Sequence, residues 1–172
     1  MDYAIVPANP EDAPAIAALH SESWRSAYRG LVPDAFLDGP VIDERLRYWT
    51  SRMGHDDEGP RVVLKATTGS MLVGFVCAVR DADPAWGPLL DNLHVKPGFK
   101  GSGIGRALLG EARLWTARVA PGQPMHLWVI EDNSSARAFY DRVGGVVAER
   151  QILDFTAGIT TPALRYVWDP LP

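Results

Sequence analysis

Between Leu89 and Trp115 the chain reads LLDNLHVKPGFKGSGIGRALLGEARLW, and this stretch narrows the fold more than any other. An apolar run ends at Pro97, and proline does not continue a strand ladder. Gly101, Gly103 and Gly105 follow at alternate positions. Ile104, Leu108, Ala112, Trp115 and Val119 then recur every three or four residues, the period of an amphipathic helix. The segment therefore predicts strand, glycine turn and helix in succession. Glycine costs about 1 kcal/mol relative to alanine inside a helix, so three at a helix start need a reason. Missing Cβ atoms let the backbone approach a ligand closely, and the unpaired amides of a helix start favour an anion. Lys100 and Arg106 add positive charge on either side. A plain tight turn accounts for the glycines equally well on composition. The two better-known phosphate loops do not fit, since no Lys-Ser or Lys-Thr pair stands in position and G-x-G-x-x-G fails at Arg106 or Leu108.

The rest of the chain alternates in the same way. Tyr3–Val6 reads as a short strand, and Asn9-Pro10-Glu11-Asp12 opens a helix whose stripe runs through Ile16 and Leu19. SESWRSAYRGLVPDAFLDGP, broken by glycine and proline, reads as a helix end, a loop and a short helix. DERLRYWTSRM is helical again, and GHDDEGP is a loop. RVVLKAT and MLVGFVCAVR form a hairpin pattern across Thr67–Ser70. LLDNLHVKP is a further strand, and the nearly continuous apolar run MHLWVIED suits a strand covered on both faces. Asn133 caps SSARAFYDRV, and Gly144-Gly145 ends it. VVAERQILDF and ITTPALRYVWD complete the strands around TAG. The expectation is an α/β domain around a mixed, mostly antiparallel sheet, with residues 1–172 as one domain.

Composition removes several functions. A net charge of −4 with no basic cluster argues against nucleic acid as a partner. No apolar run approaches a membrane span, and MDYAIVPANPEDA lacks the basic patch and apolar run of a signal peptide, so a cytoplasmic location without membrane association is expected. The lone Cys77, inside LVGFVCAV, reads as a buried core thiol. His20, His55, His94 and His126 show no metal-ligand spacing, so no metal is expected.

The residues from Val95-x-Pro97 through Lys100-Gly-Ser-Gly103-Ile-Gly105-Arg106 resemble the acyl-CoA-binding motif of the GCN5-related N-acetyltransferases, usually written [RQ]-x-x-G-x-[GA]. Lys100 stands where Arg or Gln is usual. Asn133, Ala136, Phe139 and Tyr140 match the second motif of that family, N-x-x-A-x-x-F-Y, and the resemblance is best from Gly74 to Gly145. It implies a GNAT-like fold, a sheet flanked by helices and splayed in the middle between the strand of Leu93 and Val95 and the strand of Trp128. Acetyl-CoA would enter the split as co-substrate. Its pantetheine would run along the backbone of Leu93, His94 and Val95, and its diphosphate would rest on amides of Gly101, Ser102, Gly103, Ile104, Gly105 and Arg106, near Lys100. Asn133, Ala136 and Tyr140 would line the donor site. The implied reaction is direct transfer of the acyl group to an amine in a ternary complex.

The chemistry can be assigned residue by residue. Tyr140 lies two turns after Asn133, and a phenol of pKa about 10 can protonate a thiolate of about 8.5. Phe139-Tyr140 also reads as a core pair. A backbone N–H near Leu93 or Val95 would polarise the carbonyl. Many relatives carry a Glu on the strand before the glycine turn, where this chain has Leu89, so Asp91 is the substitute base, with His94 on the opposite strand face. Proton removal through ordered water is the family's alternative to a single base. Family position assigns Trp24, Tyr28 and Phe36 to the acceptor pocket, and Glu22, Asp34 and Asp38 could attract a cationic amine. The acceptor is a small-molecule or peptide amine, and a homodimer is a common arrangement in the family. Two readings compete with the enzyme: an acyl-CoA-binding sensor of the same fold, and a nucleotide-phosphate protein resting on the glycine turn alone.

Overall fold

A computed structural model describes residues 2–54, 60–156 and 158–171; His55 and most of the GHDDEGP loop lie outside them, as does Ala157 of TAG. The elements run β1 (Ala4–Pro7), a 3-10 turn (Pro10–Asp12), α1 (Ala13–Ala27), α2 (Asp34–Leu37), α3 (Val41–Gly54), β2 (Arg61–Thr68) and β3 (Met71–Asp83). They continue with β4 (Gly87–Val95), α4 (Ile104–Val119), β5 (Met125–Ile130), α5 (Ser134–Arg142), β6 (Val146–Thr156) and β7 (Ile159–Trp168). One sheet takes the order β1-β2-β3-β4-β5-β7-β6. Every neighbouring pair is antiparallel except β4 and β5, which run parallel and register at a single position, Leu89 with His126. Beyond that point the two strands part. The mixed, mostly antiparallel and centrally splayed sheet is the one expected.

Strand alternation decides what each face of the sheet carries. Met125, Leu127 and Val129 of β5, with Leu164, Tyr166 and Trp168 of β7, pack with Ile104, Leu108 and Ala112 of α4. On the opposite face, Phe75 and Cys77 of β3 pack with Ile16 and Leu19 of α1 and Trp49 of α3. Cys77 is a buried free thiol, as its setting predicts, and burial pushes it up to about 11. Trp49 Nε1 donates to His20 Nδ1 at 3.0 Å, locking α3 to α1. At the start of α1, Asp12 accepts from the Asn9 amide at 2.9 Å and from Lys65 Nζ at 2.6 Å, which ties the helix to β2. A third cluster joins Trp24, Val32, Leu37 and Val41 to Phe155 and Ile159 of the β6–β7 hairpin.

Alternation breaks once where it matters. Ala78 pairs with Leu90 but Cys77 with Asn92, so Asp91 is the extra residue of a β-bulge. Leu90 and Leu93 consequently both face α4, whereas Asp91, Asn92 and His94 all meet side chains of α1 or α3. The expectation that His94 lies opposite Asp91 is therefore corrected. Simple period-two counting cannot see an inserted residue.

At the far end of β7, Tyr166 Oη donates to Asp141 at 2.8 Å and Trp168 Nε1 to the Val143 carbonyl at 3.1 Å, fastening α5 to the sheet. Gly145 lies against these rings: a Cβ there would sit 2.7 Å from Trp168 Cζ2 and 2.9 Å from Tyr166 Cδ1. Gly145→Ala should destabilise by about 1–3 kcal/mol, the usual cost of overpacking. Gly110, mid-helix in α4 with open space around it, should do the reverse, gaining up to about 1 kcal/mol as alanine. Urea unfolding of the two variants, compared at unchanged m value, checks both signs.

Candidate active site

The parting of β4 and β5 opens a cleft of about 700 Å³. Its floor is Leu90–Val95 on one side and Leu127–Val129 on the other, and its ends are the glycine turn and the start of α5. Past Leu89 the edge of β4 that faces β5 has no strand partner among the described residues. Backbone groups in that position require water or a ligand.

The three glycines have two different causes. Gly101 and Gly103 take φ of 83° and 89°, the left-handed region, with nothing near the Cβ position. Gly103 caps α4 without a side-chain bond, and the first intrahelical amide is that of Ala107. The N–H groups of Ile104, Gly105 and Arg106 are thus the free first-turn donors of a 16-residue helix. Gly105 serves packing instead: a Cβ there would lie 3.3 Å from the Phe139 ring and 3.5 Å from Val95. Ser102 turns its hydroxyl to the Phe99 carbonyl at 2.5 Å, and the Ile104 side chain is fully buried in the core. Neither lines the cleft, so only their backbone can take part.

Lys100, Arg106 and Arg142 bring three cations to the glycine-turn end. Arg106 donates to the Arg142 carbonyl at 3.4 Å, bringing the first turn of α4 beside the last of α5. Sequence reading missed Arg142, although its place in the last turn of the motif helix was a usable signal.

At the other end, Asn133 is the helix cap anticipated for it and also borders the cleft. Its Oδ1 accepts from the Ala136 amide at 3.1 Å as the cap of α5, and it lines the cleft with Ala136 and Tyr140. Burial raises the Tyr140 phenol above its ordinary range, and the nearby Tyr28 and Tyr166 phenols push it the same way. Tyr140 packs 5.3 Å from Phe139 and 5.8 Å from Trp168, centroid to centroid, so the core-pair reading and the cleft reading both hold. Tyr28 faces the cleft from α1, its phenol pushed up to about 12 by burial against a hydrogen bond with Asn133.

Asp91 also lines the cleft, but it is tied down. Its Oδ2 accepts from Tyr48 Oη at 2.7 Å and Asn92 Nδ2 at 2.7 Å, and pairs with Arg52 at 2.9 Å. All three contacts fall on one oxygen, which leaves Oδ1 as the one to meet a ligand. His94 Nδ1 lies 2.9 Å from Ser23 Oγ, and its ring is 4.4 Å from His20. Burial, then the Lys100 and Arg45 cations, lower His94 to about 3, so it is neutral at physiological pH.

The structure corrects the rest of the acceptor assignment. Trp24 is core, stacked at 5.2 Å on Phe155 and covered by Arg45 at 4.5 Å. Phe36 packs against the same cluster, and neither lines the cleft. The wall from α1 is instead Ser23, Ser26 and Ala27, with Tyr28. These three small residues stand at i, i+3 and i+4, one helix face that reads from sequence once the helix is known to extend to Ala27. Asp34 and Asp38 are held by Arg29, at 3.1 and 2.7 Å, and Glu22 pairs with Lys96 at 3.2 Å. Among the described residues no group of three or more His, Cys, Asp or Glu is placed to hold a metal, and no helix is long and apolar enough to cross a membrane.

A glycine turn at a helix amino end beside a split sheet is a setting for an anionic ligand, and comparison with known proteins gives the family. Residues 15–145 match the model of the acetyltransferase (GNAT) family. The chain belongs to that family and is an acyltransferase. A probable N-acetyltransferase of Mycobacterium tuberculosis is 29% identical over 135 residues, 78% of this chain and 75% of that protein. The fold matches the PaiA N-acetyltransferase of Thermoplasma acidophilum, solved with coenzyme A, at a TM-score of 0.75 and 20% identity, covering 98% of this chain and 100% of that one. It also matches YncA of Salmonella typhimurium, a putative acetyltransferase solved with acetyl-CoA, at 0.66 and 18%, covering 98% and 94%.

The histidines make stability depend on pH. His20 is lowered well below 6.5, His94 to about 3 and His126 to about 4, each chiefly by burial. Between those values and 6.5 the unfolded chain binds protons that the folded chain does not. Their contribution is complete above pH 6.5 and is lost as pH falls, by up to ~1.4 kcal/mol per pH unit for each histidine. Urea midpoints should be flat from pH 8 to 7 and drop steadily from pH 6.5 to 4.5. A flat profile throughout would mean that the histidines ionise freely in the folded state.

Proposed function

We propose that the protein transfers the acetyl group of acetyl-CoA to a primary amine of a small molecule or peptide, by direct attack in a ternary complex. One observation carries this reading: a single cleft runs from the cationic glycine turn, along the unpartnered edge of β4, to Tyr140. That path suits a long donor whose charge is at one end and whose reactive thioester is at the other. Amides of Ile104, Gly105 and Arg106 would hold the diphosphate, with Lys100, Arg106 and Arg142 neutralising it. Backbone groups of Leu93, His94 and Val95 would bond the pantetheine as an added strand and polarise the thioester carbonyl. Related structures solved with coenzyme A and with acetyl-CoA support the same donor. A cytoplasmic setting suits a chain whose cysteine is a free thiol.

The amine attacks the carbonyl carbon, forming the C–N bond as the C–S bond breaks. Tyr140, a phenol that holds its proton at neutral pH, gives that proton to the departing thiolate. Asp91 accepts the amine proton through Oδ1, its orientation fixed by Tyr48, Arg52 and Asn92. Asp91 then releases its proton to solvent and the Tyr140 phenolate takes one back, which restores both residues.

Donor binding is tested by thermal unfolding with acetyl-CoA, CoA, ATP and NAD at equal concentration. A ligand at 100 times its dissociation constant adds about 2.7 kcal/mol. Stabilisation by acetyl-CoA and CoA alone is the expected result, and a larger effect of ATP or NAD would overturn the reading. Tyr140→Phe should lower kcat by about 10²–10⁴ while the acetyl-CoA thermal shift remains, and Asp91→Asn should lower kcat/KM by a similar factor. Unchanged turnover in either variant removes that residue from the chemistry. An unaltered protein that binds acetyl-CoA yet transfers to no amine would instead be a sensor.

A further inference from the structure

Arg165 of β7 is an unusual residue to find in this sheet: its side chain is 6% exposed, and its guanidinium lies over two indole rings. Trp86, from the β3–β4 turn, lies 4.7 Å away and Trp128 of β5 lies 4.3 Å away. The edges of the guanidinium are taken as well. Nε donates to Glu149 at 2.8 Å, and Nη1 donates to His126 Nδ1 at 2.8 Å and to Asp83 at 3.3 Å. A guanidinium held by three partners and packed against two indoles has little freedom to move.

Trp128 is where this cluster reaches the cleft. It stands opposite Arg165 in the β5–β7 register, on the sheet face away from the α4 core. That is the face on which Asp91 and His94 meet α3 and α1. Trp128 is thus the flat apolar surface beside the polar groups that would receive the amine. One face of its ring is spent on a cation. With Arg165 on one side of the indole and its charge already met by Glu149 and Asp83, the side toward the cleft offers contact area to an aromatic ring or a flat hydrocarbon.

The charges on the cleft wall point the same way. Lys100, Arg106 and Arg142 sit at the glycine-turn end, opposite in sign to a donor's phosphates. Of the carboxylates that line the cleft, Asp91 is already paired with Arg52, leaving Asp132. Such a wall suits one ammonium rather than several.

The geometry points to an acceptor that carries a single amine on a flat aromatic body, with Trp128 as the specificity-determining platform and Arg165 as the residue that positions it. This rests on the acetyltransferase reading of the same cleft and deepens it.

The test is calorimetric titration of three probes into the protein saturated with CoA: 2-phenylethylamine, hexylamine and spermidine. 2-Phenylethylamine should bind at least about tenfold more tightly than either of the others. Trp128→Leu should erase that preference and Trp128→Phe should retain most of it. Independently of how those variants fold, 2-phenylethylamine should shift one indole resonance of the ¹⁵N-labelled parent protein, the one that Trp128→Phe deletes. Equal or tighter binding of hexylamine or spermidine overturns the inference, as does a preference that survives Trp128→Leu or a shift confined to other indoles. A protein that CoA does not stabilise contradicts the donor reading instead, so the two failures are separately visible.

Discussion

The rest of the structure depends on the parting of β4 from β5. A parallel neighbour cannot be reached by a tight turn, so the chain must leave the end of β4, cross the sheet and return. Here α4 makes that crossing, and it packs on the face that holds the largest core. The turn into α4 therefore has to stand at the carboxyl end of β4, at the mouth of the split. Helix amides and open strand edge become adjacent because of topology, before any side chain is chosen. With a single register position shared by the two strands, the remaining backbone of β4 is left with hydrogen-bonding capacity that only water or a ligand can use.

Side chains then make the two surfaces of that opening unlike each other. Tyr140 belongs to the α4 side, where it packs beside Tyr166 and Trp168. Asp91, His94 and Trp128 belong to the other side. A group lying in the split can thus be met by a proton donor from one surface and by a nucleophile from the opposite one. The bulge at Asp91 matters to this division, since it turns Asp91, Asn92 and His94 toward the same helices. Had β4 alternated regularly past Asp91, both Asn92 and His94 would face α4 and the acceptor side would lose two polar groups.

What sequence made legible was mostly local. The stripe of α4, the β2–β3 hairpin and the Asn133 cap all appear as expected, because period, turn chemistry and capping act over a few residues. Gly101 and Gly103 were legible as a turn. Gly105 has a further reason that sequence did not show, the Phe139 ring of a helix that follows the next strand. Trp24 and Phe36 failed for a related cause: an aromatic residue of α1 or α2 can face the cleft or the β6–β7 hairpin, and only long-range packing against Phe155 and Ile159 decides. Period-two alternation also hid the bulge. The Arg165 cluster joins residues from β3, the β3–β4 turn, β5, β6 and β7, separated by up to 82 positions, and no short-range pattern announces it.

The acceptor side has one further property that follows from these contacts. Burial keeps His20 and His94 neutral, Asp91 is balanced by Arg52, and Glu22 is balanced by Lys96. An incoming ammonium therefore leaves water for a surface with little net charge to replace its hydration. Desolvation without full compensation favours the uncharged amine, which is the form that can attack a carbonyl. On the proposed reaction, such a surface lowers the basicity of a bound amine and so lightens the work asked of any single base. Asp91 then has to receive a proton already made more acidic, and one oxygen free of other donors is enough for that. The same argument explains why a flat apolar platform belongs here: a body that is easily desolvated brings its amine into the dry part of the cleft at little further cost.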